Sequence, residues 1–66
     1  MKVTVNGNAR EIADGAVVAD VVAELTTASR GIAVALNGIV ASRGAWSTTS
    51  LAEGDRIEVL TAVQGG

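Results

Sequence analysis

In Val17-Val18-Ala19-Asp20-Val21-Val22-Ala23-Glu24-Leu25 the large apolar residues fall at 17, 18, 21, 22 and 25. That spacing lays one apolar stripe along a helix, with Asp20 and Glu24 off the stripe as solvent-facing charges. β-Branched valine is a mediocre helix former, so this helix depends on packing against a sheet and not on propensity. Its start is poorly signalled, because Ala16 offers no capping oxygen. It is expected to fade through Thr26-Thr27 and to stop by Gly31.

The sheet is legible on both sides of that helix. Towards the N-terminus, Met1, Val3 and Val5 point one way and Lys2 and Thr4 the other, the alternation of a half-buried strand. Asn6-Gly7-Asn8 is a turn signal, followed by a short strand over about residues 9–12 and a break at Asp14-Gly15. Towards the C-terminus, Ile32-Ala33-Val34-Ala35-Leu36 alternates large and small residues, which predicts a strand with its bulky face on the core. Asn37-Gly38 is the strongest short hairpin signal available, and Ile39-Val40 makes a brief return strand. Residues 42–50 are small and polar except for Trp46, a surface excursion pinned by one indole. A turn over 51–55 leads into a last strand over 56–63, and Gln64-Gly65-Gly66 leaves it. The order is hairpin, helix, short hairpin, loop, final strand, without repeats or a linker. One helix packed across a mixed sheet of four to five strands buries each apolar face with the fewest parts, so the class is α+β.

Composition sets bounds on function. Sixty-six residues make one domain, 1–66, ending in the flexible tail 64–66. A chain this short buries only about 60% of its unfolded surface, so its core is small. Cysteine and histidine are both absent. That removes disulfides, the commonest nucleophile–base pairs and the usual transition-metal ligands, so no metal site and no catalytic residue is expected. With a hydrophobic content of 48%, mostly Val and Ala, the chain reads as globular. The net charge is −2, with no basic stripe and a single aromatic residue, which argues against nucleic acid. No apolar run approaches the roughly 20 residues that span a bilayer, and the N-terminus lacks the apolar stretch of a signal peptide. A soluble cytoplasmic protein is the expectation.

The end of the chain carries the chemistry. Glycine has no side chain to dock, so Gly65-Gly66 reads as a mobile end. A carboxylate is a poor acyl donor, because its charge repels nucleophiles and its leaving group would be oxide. Activation as an acyl-adenylate supplies a good leaving group, which a sulfur or nitrogen nucleophile can displace. A partner performing that step must draw the terminus into a guarded pocket. Residues 63–66, extended, span about 13 Å. Two of them lack side chains, which suits a narrow channel. Gly66 is therefore the candidate modified residue, with Gly65, Gln64 and Val63 presenting it. Ile57, Val59 and Thr61 share one face of the last strand, so Leu60 points to the other beside Glu58 and Ala62. Leu60 and Ala62 are candidate docking residues for a partner at the root of the tail.

Several segments together resemble a known family. They are Met1-Lys2-Val3-x-Val5-Asn6-Gly7, Ala35-Leu36-Asn37-Gly38-Ile39-Val40, Trp46, Leu51-x-x-Gly54-Asp55-Arg56-Ile57-Glu58 and Gly65-Gly66. In order and spacing the chain is similar to the thiamine-biosynthesis sulfur carriers, the ThiS family, with the ubiquitin-like β-grasp fold. The resemblance implies that an E1-like activating enzyme adenylates Gly66 with ATP. A sulfur-donor protein then supplies the sulfur of a thiocarboxylate, which goes to thiazole synthase. The chain itself would be a carrier and not an enzyme, and would bind no cofactor. Ala16 departs from the Ser or Thr of many relatives and Ala41 from a common Pro; neither touches the tail.

Other readings stand beside this one. Glu53, Asp55 and Glu58 could form a carboxylate cluster, but Gly54-Asp55 reads as a turn and Glu58 as a solvent-facing strand residue. Trp46 could be a ligand platform, but a lone Trp in so small a domain reads as core. The small sulfur-carrier subunit of molybdopterin synthase shares the fold and the Gly-Gly end. A β-grasp interaction module with an incidental Gly-Gly end is the third reading.

Overall fold

Asn6 and Gly7 hold φ of 50° and 84°, and Asn37 and Gly38 hold 53° and 84°. Paired positive φ values give the two-residue turn whose twist matches its flanking strands, so each Asn-Gly closes a tight hairpin. The first joins β1 (Lys2–Val5) to β2 (Asn8–Glu11), and the second joins β3 (Ile32–Leu36) to β4 (Ile39–Ala41). β5 (Arg56–Thr61) lies between the two hairpins, parallel to β1 and antiparallel to β3. The result is a five-stranded mixed sheet in the order β2-β1-β5-β3-β4. This computed structural model describes residues 1–27 and 31–61. The final two residues of the strand predicted over 56–63 therefore lie outside the described residues.

The α-helix α1 (Val18–Leu25) covers one face of the sheet. Its Val18, Val21 and Val22 join Val3, Val5, Val34, Ile57 and Val59 in the core. The apolar stripe is as predicted except at its two ends: Val17 is half-buried in extended backbone before the helix, and Leu25 is 38% exposed. Leu25 is the last helical residue and falls beyond the core cluster.

The start of α1 differs from the expectation in an informative way. Val17, and not Ala16, is the N-cap residue, and Ala16 is buried. The first backbone N–H groups of a helix lack partners within it. Here they find them elsewhere: Val18 donates to the Thr49 carbonyl and Ala19 to the Trp46 carbonyl, both at 3.0 Å. The Asp20 carboxylate accepts the Val17 N–H at 2.9 Å, so Asp20 does more than face solvent.

The segment 42–50 is accordingly more than a surface excursion. It contains a short 3₁₀ helix, Arg43–Ala45, and its carbonyls cap α1. Trp46 is buried as expected, with its indole Nε1 donating to the Ala41 carbonyl at 3.0 Å. Leu51, read as part of a turn, is also buried and donates its N–H to the Ala16 carbonyl at 3.0 Å.

Candidate functional site

Alternation along β5 decides what the strand offers to solvent. Ile57 and Val59 are 1% and 6% exposed on the helix side, whereas Leu60 is 68% exposed on the uncovered side. The predicted parity of Leu60 is what the structure has. Leu60 stands opposite Ala33, Glu58 opposite Ala35, and Ala35 in turn opposite Val40 of the edge strand. Val40 is 79% exposed. Leu60 therefore belongs to a small apolar patch with Ala33, Ala35 and Val40 on the open sheet face. Val40 was not singled out by sequence reasoning, although the Asn37-Gly38 turn fixes its register and hence its face.

Where β5 ends, a shallow groove of about 450 Å³ is lined by Gly31, Ile32, Ala33, Leu60 and Thr61. The remaining candidates, Ala62, Val63, Gln64, Gly65 and Gly66, lie outside the described residues. The structure thus describes the root of the tail and one of its two docking candidates.

The three carboxylates that could have formed a cluster are engaged separately. Glu53 accepts the Lys2 N–H at 2.9 Å. Asp55 accepts the Ala52 N–H at 2.8 Å, closing its own turn, and the Asn37 amide at 3.0 Å. Glu58 is exposed on the open face. Among the described residues no group of three or more carboxylates could hold a metal ion. Desolvation works against the charge on the Met1 ammonium, but its hydrogen bond to Asp14 and the charges of Asp14 and Glu11 outweigh this and raise its pKa. The same ammonium donates to the Ile12 carbonyl at 2.6 Å and so pins the start of β1 to the end of the hairpin.

Among the described residues no helix is long and apolar enough to cross a membrane.

Comparison with known proteins bears on this geometry. The ThiS family model matches residues 3–66. A crystal structure of the thiamine biosynthesis protein (ThiS) from Geobacter metallireducens superposes with a TM-score of 0.80 at 33% identity, covering 100% of both chains. An NMR solution structure of a thiamine biosynthesis protein from the same organism gives a TM-score of 0.82 at 33% identity, covering 100% of this chain and 88% of that one. No curated protein matches the chain.

Proposed function

Since the chain belongs to the ThiS family, we propose that it is a sulfur carrier of thiamine biosynthesis, acted on by partner enzymes and not itself an enzyme. The observation that carries this reading is the family match running through Gly65-Gly66 to the last residue. A carboxylate oxygen of Gly66 attacks the α-phosphorus of ATP in an E1-like activating enzyme, and pyrophosphate leaves. The resulting acyl-adenylate is attacked at its carbonyl carbon by hydrosulfide released from a donor protein, AMP leaves, and the thioacid loses its proton. The thiocarboxylate so formed delivers its sulfur to thiazole synthase. ATP is the activating enzyme's substrate, and the carrier works in the cytoplasm, where that supply is.

Val63, Gln64 and Gly65 present the reactive end, and Leu60 with Ala62 forms the docking contact at its root. Binding a loose tail alone would lose orientation; an apolar anchor beside it supplies a fixed contact. The 68% exposure of Leu60 supports that assignment. The thiamine type of the family and of both solved relatives favours this pathway over molybdopterin synthesis.

The test is intact mass spectrometry of protein purified from a thiamine-starved host. A fraction carrying the oxygen-to-sulfur mass increment on Gly66 is expected. Protein that stays entirely unmodified, in cells with active thiazole synthesis, would reject the reading.

A further inference from the structure

β5 is clamped at two points by asparagines that belong to other strands' turns. Near its start, Asn37 Oδ1 accepts the Arg56 N–H at 3.0 Å, and the Asn37 N–H donates to the Arg56 carbonyl at 2.7 Å. Further along, Asn6 Oδ1 accepts the Val59 N–H at 2.8 Å and Asn6 Nδ2 donates to the Val59 carbonyl at 3.2 Å. One clamp reaches β5 from the β3 side, the other from the β1 side.

The two clamps are not equivalent. Asn37 acts where β5 begins, beside a turn that Asp55 also holds. Asn6 acts where β1 has run out. The pairing of β1 with β5 ends at Val5 opposite Ile57, and the Asn6 N–H adds one bond to the Ile57 carbonyl at 2.9 Å. The Asn6 carboxamide then takes both backbone groups of Val59, in place of the strand partners that β1 no longer supplies. The turn itself does not require this side chain, since glycine satisfies positive φ at least as well. Beyond Val59, β5 runs on through Leu60 and Thr61 paired with β3 alone, Leu60 opposite Ala33 and Thr61 opposite Ile32.

We infer that Asn6 is a positioning residue for the carboxyl terminus, its carboxamide bracing through Val59, on the side that β1 leaves open, the end of β5 from which the tail departs. The inference rests on the carrier reading. Residues 62–66 can reach at most about 17 Å when extended, so angular play of about 10° at the end of β5 displaces the far end by about 3 Å. Misplacement by about 1 Å is enough to cost on the order of a hundredfold in a transfer step. A rigid root therefore narrows the volume that Gly66 searches before activation.

Asn6→Gly is the discriminating variant, because it keeps the turn conformation and removes only the carboxamide. Asn37→Gly removes the side-chain bond of the clamp at the other end of β5 and serves as the structural control. Hydrogen exchange at the Val59 amide should quicken by about tenfold in Asn6→Gly and much less in Asn37→Gly. In ATP–pyrophosphate exchange with the cognate activating enzyme, well below either melting temperature, Asn6→Gly should lower kcat by about tenfold or more. KM should stay within about twofold, because the Leu60 face is untouched. Asn37→Gly should leave both constants within about twofold, and Asn6→Asp, which keeps the acceptor for the Val59 N–H, should recover part of the loss. Equal losses in the two glycine variants, or wild-type kcat in Asn6→Gly, would overturn the positioning role and leave the carrier reading standing. Wild-type protein that supports no exchange would instead overturn the carrier reading, and the role of Asn6 with it.

Discussion

Ile57 and Leu60 lie on the same strand and face opposite ways, and almost everything that distinguishes fold from function here can be asked of that pair. Ile57 is 1% exposed and among the largest fully buried side chains. Truncating it to alanine removes buried methyl groups and leaves a cavity under α1, at a cost of about 2–5 kcal/mol. A small domain has only about 5–15 kcal/mol in total, so Ile57→Ala should shift the denaturation midpoint severely or prevent folding. A fully stable variant would contradict the observed burial. Leu60 is 68% exposed, so Leu60→Arg should change stability by no more than about 0.5 kcal/mol. On the proposed docking role it should weaken binding of the activating enzyme or of thiazole synthase by about 1–3 kcal/mol, on the order of tenfold in affinity. Melting and titration on one sample decide the matter, and unchanged affinity for both enzymes would make the residue idle surface. Both orientations were legible in advance, because alternation in a strand needs only neighbours in sequence. The second role of Asn6 was not, because the Val59 groups it binds are 53 residues away.

At the scale of elements, what could be read early was again what is local. Both Asn-Gly turns announce positive φ on their own, and both hairpins form with the two-residue register that such turns impose. The valine stripe announces α1, and its central members are buried. The helix start is poorly signalled in the sequence for a complementary reason. No capping oxygen stands before it, and the donors of the first turn are met by the Trp46 and Thr49 carbonyls of a loop far along the chain. No inspection of residues 14–20 could have revealed that. The local contribution left is Asp20, whose carboxylate accepts the Val17 N–H and sits at the positive end of the helix dipole. Asp20→Ala should cost about 0.5–1 kcal/mol, the loss of the bond being partly offset by alanine's helix propensity. Asp20→Asn should cost less, since an amide oxygen can still accept. Urea titrations of the three proteins resolve such differences, and an alanine variant as stable as the parent would mean that the loop carbonyls alone hold the helix start.

For the whole molecule, the question is whether the reactive end and the fold are separable. Every residue of the described core cluster lies between Val3 and Val59, and the described β ladders close at Thr61. The described core and ladders are thus built from residues up to Thr61. On the carrier reading, such a body can keep one shape while the terminus passes from an activating enzyme to a synthase. The tail is legible as chemistry and not as geometry: on the carrier reading Gly65-Gly66 marks a deliverable carboxylate by its lack of side chains, and without side chains the sequence specifies no position for it. Deleting Gly66 should therefore leave the unfolding free energy within about 0.5 kcal/mol of the parent. On the carrier reading the same deletion should abolish ATP–pyrophosphate exchange, since the carboxylate then ends one residue, about 3.3 Å, short of the nucleotide. Extending the chain by one residue should fail equally, because the added group occupies the position that the attacking oxygen needs. Calorimetry and exchange kinetics on the same two variants separate the outcomes. Undiminished exchange with the shortened tail would refute the carrier chemistry, and a markedly destabilised fold would show that the terminus belongs to the body after all.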